Sequence, residues 1–329
     1  MKGILYCQGE FAVDLNFTKL IVTIKLEKDV ADSYPLFNLR AEFEDAFRLE
    51  VNCHSSRCDG CSRLGECPYW QTFSQTISPD PSAVRRHQKP PYPFVFDFPL
   101  LPPVPNRGKT LEIGVTLVGS ATNYYGYYLA ALRRLFRLNT PHKPVFAALL
   151  KVESSLYRGG RVLLMAENGD IYPDRLSVLS SAELLKTCDL PQDKVAISIV
   201  TPMRIMQDGC PLRDLSFSSF IRALLRRISS LAYYYGGVEL ELDYKWLARR
   251  STLVECGEAD FHWVDWNGRP GSCRMCGIVG RGMFNGDMVD FYPALLLGEY
   301  FHLGKGASFG LGQYRIERQP MPCKSATKG

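Results

Sequence analysis

Apolar and polar residues repeat along this chain with two periods, and the periods follow one another in a fixed order. Leu20, Val22, Ile24 and Leu26 alternate with Thr23, Lys25 and Glu27, the period of two of a half-buried strand. From Leu36 to Val51 the apolar positions fall at Leu36, Leu39, Phe43 and Phe47 behind Pro35, which predicts an amphipathic helix with proline in its first turn. Phe94–Phe98 reads as a strand, and Leu111, Ile113, Val115 and Leu117 alternate as another. Tyr125, Tyr128, Leu129, Leu132 and Phe136 share one helical face, and Phe146–Val152 closes the half as a strand. The order β-α-β-β-α-β is that of the ferredoxin-like unit.

The rhythm returns after the turn-prone Arg158-Gly159-Gly160. An extra strand, Val162–Met165, comes first. A strand at Val195–Val200 then leads to a long helix over Phe217–Tyr235, stopped by Gly236-Gly237. Val238, Leu240 and Leu242 alternate with acidic residues as the next strand, with Cys276–Phe284 as its partner, and a helix over Phe291–Phe301 and a strand over Gly312–Glu317 complete the unit. A length of 329 residues at 46% hydrophobic content is enough for two cores. The expected fold is therefore α+β, a tandem of ferredoxin-like (RRM-like, βαββαβ) domains. The N-terminal domain spans 1–155 with a cysteine-rich insertion at about 52–105, the C-terminal domain spans 156–319, and a disordered tail covers 320–329.

Charge changes the picture locally rather than globally. The net charge is only +5, yet between Ala121 and Arg161 seven Lys/Arg stand against one acid, Glu153. Arg133, Arg134 and Arg137 crowd the end of the second helix, where the helix dipole favours cations, and the stripe as a whole suits a polyanion laid along one face. The longest uncharged run, Ile113–Leu132, breaks into a strand and a helix, so no membrane span is expected. No apolar export segment opens the chain, which points to the cytoplasm and makes its 11 cysteines thiols or metal ligands rather than disulfides.

Two stretches carry candidate chemistry. Between His302 and Gln313, Gly304, Gly306, Gly310 and Gly312 surround one lysine, Lys305. Such glycine density permits positive φ and close approach of backbone amides to a phosphate, or else a tight connection between helix and strand. The spacing fits neither the Walker loop nor the dinucleotide fingerprint. The second stretch is Cys53, Cys58, Cys61 and Cys67, a C-x4-C-x2-C-x5-C run of soft ligands that suits a structural zinc, with an iron–sulfur cluster as the rival. His54 could replace one thiol. Cys256, His262, Cys273 and Cys276 form a looser set that could hold a second metal. Nine of the 21 prolines lie between Pro79 and Pro105, an extended arm after the cysteines.

The sequence V-G-R-G-M-F-N-G-D at Val279–Asp287 and L-G-E-Y-F-H-L-G-K-G-A-S-F-G-L-G-Q-Y-R-I at Leu297–Ile316 resembles the C-terminal signature of CRISPR repeat-processing endoribonucleases of the RAMP superfamily. Leu39-Arg40-Ala41-Glu42-Phe43 with the cysteines, K-P-P-Y-P-F at Lys89–Phe94 and T-P-M-R at Thr201–Arg204 resemble a cysteine-bearing branch of it. The resemblance implies tandem ferredoxin-like domains and metal-free cleavage of precursor CRISPR RNA within its repeats, giving guide RNA. A non-catalytic RAMP subunit that holds a CRISPR RNA end in an effector complex is the alternative. The implied partner is CRISPR repeat RNA, together with other effector subunits, and no DNA is expected. The resemblance also implies a catalytic histidine after the first helix, where His54 stands.

In such cleavage the nucleophile is the substrate's own 2′-hydroxyl, so the protein must align it, move two protons and stabilise the phosphorane. His302 at the loop's entrance is the base best placed by sequence, with His54 the other candidate. Lys305 and the amides of Gly304, Gly306, Gly310 and Gly312 would bear the charge.

Overall fold

The structure is a computed structural model that describes residues 15–30, 34–37, 39–53, 58, 60–81, 83, 89–101, 105–136, 147–186, 190–266 and 275–318. The expected tail over 320–329 lies outside them. The first unit runs β1 (Asn16–Leu26), α1 (Tyr34–Phe37), α2 (Arg40–Glu50), α3 (Pro68–Phe73), β2 (Phe94–Asp97), β3 (Thr110–Val118), α4 (Tyr125–Leu135) and β4 (Ala147–Ser155), followed by β5 (Arg161–Met165). Its antiparallel sheet has the order β2-β3-β1-β4, that of a ferredoxin-like domain. β5 extends the β4 edge and the short β6 (Leu179–Ser180) pairs with the start of β1. The extra strand read at Val162–Met165 thus belongs to the first sheet, not to the second.

The second unit continues with α5 (Ser181–Lys186), β7 (Lys194–Met203), a small hairpin of β8 (Met206–Gln207) and β9 (Cys210–Pro211), α6 (Phe217–Leu231), α7 (Tyr244–Ser251), β10 (Glu255–Asp265), β11 (Cys276–Asn285), α8 (Tyr292–Phe301) and β12 (Tyr314–Ile316). The sheet order β10-β11-β7-β12 repeats the ferredoxin-like arrangement. No helix among the described residues is long and apolar enough to cross a membrane.

Two readings of the sequence are corrected. The first helix is split, α1 ending before Leu39 and α2 starting after it, although Leu36, Leu39, Phe43 and Phe47 are all buried as the periodicity requires. The strand read at 238–242 does not form. Leu242 N–H donates to the Leu240 carbonyl at 3.0 Å, and the Asp243 carboxylate accepts from Trp246 N–H at 2.8 Å, which bends the chain into α7. Its place is taken by β10, an edge strand whose Glu255, Glu258, Asp260 and Asp265 blur the alternation.

Each sheet packs one face on its helices and leaves the other open. Leu20, Val22, Ile24, Ile113 and Val115 meet Phe43 and Phe47 of α2 and Leu129 and Leu132 of α4. In the second unit Ile197 and Ile199 meet Phe220, Leu224 and Ile228 of α6. The cores interlock across the boundary. Phe17 of β1 packs on Phe301 of α8 with ring centroids 5.4 Å apart, and Phe309 and Leu311 of the second unit join the first core.

A glycine-rich plug and an inter-domain cleft

α8 ends at His302, where the backbone turns left-handed with φ of 53° and its N–H still donates to Gly298 at 2.8 Å. The chain then runs through Gly304, Gly306, Gly310 and Gly312, all at positive φ. Close approach does occur here, but mostly to the protein itself. A Cβ on Gly310 would lie 2.6 Å from the Phe98 ring, and one on Gly312 only 1.6 Å from the Leu303 carbonyl oxygen. Gly304 faces the Arg204 carbonyl in the same way. Between these points Phe309 inserts into the N-terminal core, with ring centroids 5.4 Å from Phe94 and 5.6 Å from Tyr92. Burying a side chain of this size contributes about 1.5–3 kcal/mol, so the loop acts as a plug joining the domains. Only Lys305 and Gly306 at its tip are exposed. Lys305 N–H donates to the Arg204 carbonyl at 2.9 Å, which sets two cationic residues side by side at this tip.

His302 is 1% exposed and its Nδ1 makes no hydrogen bond. Burial pushes the imidazole down to about 3, against the opposing pull of Asp97, so it is neutral at physiological pH. Beside it, Arg227 of α6 donates through Nε to the Phe301 carbonyl at 2.8 Å and braces the end of α8.

The open faces of the two sheets converge on a cleft of about 830 Å³ lined by Lys19, Asp97, Arg161, Tyr300, Arg315 and Arg318, among others. Lys19 bridges to Asp97 at 3.1 Å, and Gln313 of the second unit donates to the other oxygen of Asp97 at 2.6 Å. Burial works against that carboxylate's charge, yet Lys19 holds it below the usual carboxylate range. Arg318 pairs with Glu299 at 2.9 Å and Arg161 with Glu112 at 2.5 Å. Arg315 is exposed and has no ion pair among the described residues. It lies in one cross-strand row with Ser198 and Arg281 on the open face. Sequence patterning missed this cleft, because its residues come from both units; the only trace was the polar half of each alternating strand.

The basic stripe is largely used internally. Arg133 donates to the Asn168 carbonyl at 2.7 Å, Arg134 pairs with Glu50, and Lys151 pairs with Glu153 at 2.9 Å. Arg137 lies outside the described residues, as does His54. The neighbour of His54, Cys53, follows the far end of α2, whereas the plug packs at its beginning, where Arg40 stacks on Phe309 at 5.1 Å. A helix of this length spans about 15 Å, so His302, Lys305 and the chain at Cys53 are not brought together.

Cys53, Cys58, Cys61 and Cys67 are all reduced thiols, but among the described residues no three metal-ligating side chains converge. The looser set is not one site. Cys256 pairs in register with Phe284 and Asp265 with Cys276, which places the two cysteines toward opposite ends of a hairpin about 30 Å long. Cys276 is moreover disulfide-bonded, which corrects the expectation of thiols throughout, and Cys273 lies outside the described residues.

Fold and cleft define a tandem ferredoxin-like protein whose second domain reaches into the first through a glycine-rich loop. Residues 197–314 match the family model of the CRISPR-associated endoribonuclease Cas6, and residues 15–176 match AF_1859_N, an N-terminal domain. The C-terminal segment, residues 197–314, is thus of the Cas6 type. Among solved structures, Thermus thermophilus Cas6 covers 92% of this chain and 99% of its own at 12% identity and a TM-score of 0.53. A Cas6 product complex covers 92% and 100% at 16% identity and a TM-score of 0.54. A partial Cas6-RT-Cas1–Cas2 complex covers 93% of this chain at 13% identity and a TM-score of 0.56, and this chain spans 46% of that longer one. At these identities the likeness is one of fold. No curated protein sequence matches the chain.

Proposed function

We propose that the protein is an endoribonuclease that cleaves precursor CRISPR RNA within its repeats by attack of the substrate's own 2′-hydroxyl, without a catalytic metal. The observation that carries this reading is the Cas6 family match over residues 197–314, which contains the whole glycine-rich loop and its exposed tip. In this reading the RNA backbone enters the cleft along Arg315 and reaches the tip, where Lys305 stabilises the phosphorane. His302, neutral and buried, holds the start of the loop as a positioning residue. A base from the segment after α2, with His54 the candidate, would then have to approach from the N-terminal domain.

A labelled repeat RNA incubated with the protein in EDTA is expected to be cut, leaving a 2′,3′-cyclic phosphate and a 5′-hydroxyl. A single 2′-deoxyribose 5′ of the cut should abolish cleavage and leave binding intact. Lys305→Ala should slow the cut without changing stability, since that side chain is exposed. Arg315→Ala should reduce the magnitude of the salt slope of binding by about 0.7 if it meets one phosphate of single-stranded RNA. An unchanged slope would place the RNA on another face.

The second reading is an RNA-holding subunit that does not cut, alone or beside other CRISPR proteins. The burial of His302 favours it, because the loop's own histidine is closed off from a substrate. Tight binding of a cognate repeat with no cleavage under any metal condition would establish it.

A further inference from the structure

We propose that the exposed face of α6, with Arg222 and Arg226, forms together with Arg227 and Arg40 a second track for the RNA backbone, on the helical side of the protein and away from the cleft. The track rests on the RNA-binding reading given above and adds to it a surface that the cleft does not include.

Three observations carry it. The first is the charge of α6 itself. Its fifteen residues contain three arginines and no acid. The helix turns Phe220, Leu224 and Ile228 into the core of the second unit, so Arg222 and Arg226, one turn apart, stand on the opposite face and are exposed. Neither has an ion pair among the described residues, whereas Arg134, Arg161 and Arg318 are each paired with a carboxylate. Two like charges about 6 Å apart on one helix face repel each other, and a phosphate backbone laid across them relieves that repulsion.

The second is that the row continues to both flanks of the plug. Arg227, at the margin of the same face, is half-buried; its Nε donates to the Phe301 carbonyl at 2.8 Å and its Nη2 reaches the Ser308 hydroxyl at 3.4 Å. Burial lowers this guanidinium to about 10, so it is charged at neutral pH, and no carboxylate pairs with it among the described residues. On the other flank Arg40 is exposed at the start of α2. Its guanidinium lies 5.1 Å from the centre of the Phe309 ring and donates to the Tyr92 hydroxyl at 3.1 Å, while Glu44, one turn further on, accepts from Tyr69 at 2.8 Å instead. Held by neutral partners alone, both cations lose little side-chain freedom on meeting a phosphate.

The third is position. The cleft, with Lys19 and Arg315, lies on the uncovered faces of the sheets, and α2 and α6 cover the other faces. One loop borders both surfaces: Ser308 touches Arg227 and Phe309 touches Arg40, while Gln313 just beyond them reaches Asp97 of the cleft. An RNA strand that leaves the cleft at the loop is met by these cations.

Binding is measured across a range of salt with a repeat RNA that carries one 2′-deoxyribose 5′ of the cut. Arg222→Ala with Arg226→Ala is expected to reduce the magnitude of the salt slope by about 1.4, two contacts at about 0.7 each on single-stranded RNA, with the melting temperature unchanged because both side chains are exposed. Arg40→Ala added to this pair should remove about 0.7 more. Arg222→Lys with Arg226→Lys, which keeps the charge, should keep the slope. Lys28→Ala with Lys109→Ala removes as much charge from exposed positions at the far end of β1 and should also leave the slope unchanged. An equal fall in that control overturns the track, since net charge would then explain the effect. If the Arg222/Arg226 alanine variant keeps the slope of the unaltered protein while Arg315→Ala lowers it, the RNA is confined to the cleft and the track alone falls. If the unaltered protein binds no repeat RNA, the RNA-binding reading falls and the track with it.

Discussion

Taken from pH 7 to pH 4, the protein is expected to lose about 3 kcal/mol of stability through His302 alone. The sign follows from which state binds the proton. In the unfolded chain the imidazole has its ordinary value of 6.5; in the folded chain burial lowers it to about 3. Below 6.5 the unfolded state takes up a proton that the folded state refuses, so the stabilisation present above 6.5 drains away as pH falls toward 3, at up to about 1.4 kcal/mol per pH unit. Asp97 adds to acid sensitivity only below the ordinary carboxylate range, since its value is lowered too and its contribution is lost as pH falls through that lower value. Between about 6.5 and 4 His302 is the group that loses stability, whereas Glu299 and Asp290, whose carboxyls burial raises, act in the opposite sense as pH falls. His302→Gln, which cannot titrate, should flatten the dependence of melting temperature on pH within that range, whatever the variant's stability at pH 7. An unchanged slope would show that the side chain is hydrated and protonatable in the folded protein. The same variant tests the positioning role: the pH profile of cleavage should keep its shape while the rate shifts, because a neutral group with 1% exposure exchanges no proton with the substrate.

Gly312→Ala is expected to be the most damaging single change in the loop. It combines two costs that can be measured apart. At φ of +65° any Cβ costs about 1–2 kcal/mol of backbone strain. In addition, this Cβ would stand 1.6 Å from the Leu303 carbonyl oxygen, whose backbone is fixed because Leu303 N–H donates to the Gly312 carbonyl at 3.0 Å. The loop must open to relieve that overlap, and opening withdraws Phe309 from the N-terminal core. Gly108→Ala is the control: φ there is +79°, but a Cβ would meet nothing within 4 Å, so only the strain remains. Thermal melts should show a small drop for the control and a much larger one for Gly312→Ala, with RNA binding weakened in the latter. Equal drops would mean that the plug does not join the domains.

These two positions show how far the linear pattern reaches. The duplicated β-α-β-β-α-β order was visible because strands with one buried face must alternate and helices beside them must repeat every three to four residues. Ile113, Val115 and Leu117, for example, were placed in the core by periodicity alone, and they are buried. Where the period is masked the reading failed. β10 is an exposed edge strand with acids at Glu255, Glu258, Asp260 and Asp265, so the alternating Val238, Leu240 and Leu242 took its place in the reading. The resemblance to CRISPR endoribonucleases, too, was legible, in the loop at Leu297–Ile316, most of which lies in the matched residues 197–314.

What the sequence determined by itself is the fold class and which residues are able to do chemistry: the histidines, the lysine between glycines, the four thiols. Which of them are buried and which are open was decided only by the tertiary structure. Composition cannot tell whether a glycine admits a phosphate or its own chain's backbone, and here Gly310 and Gly312 admit Phe98 and Leu303. Nor can it tell an open cation from a paired one: Arg134 is paired with Glu50, whereas Arg315 is exposed with no ion pair among the described residues. Both distinctions depend on how the chain packs: Phe98 meets Gly310 only where the loop enters the N-terminal core, and Glu50 meets Arg134 only because α2 lies beside α4.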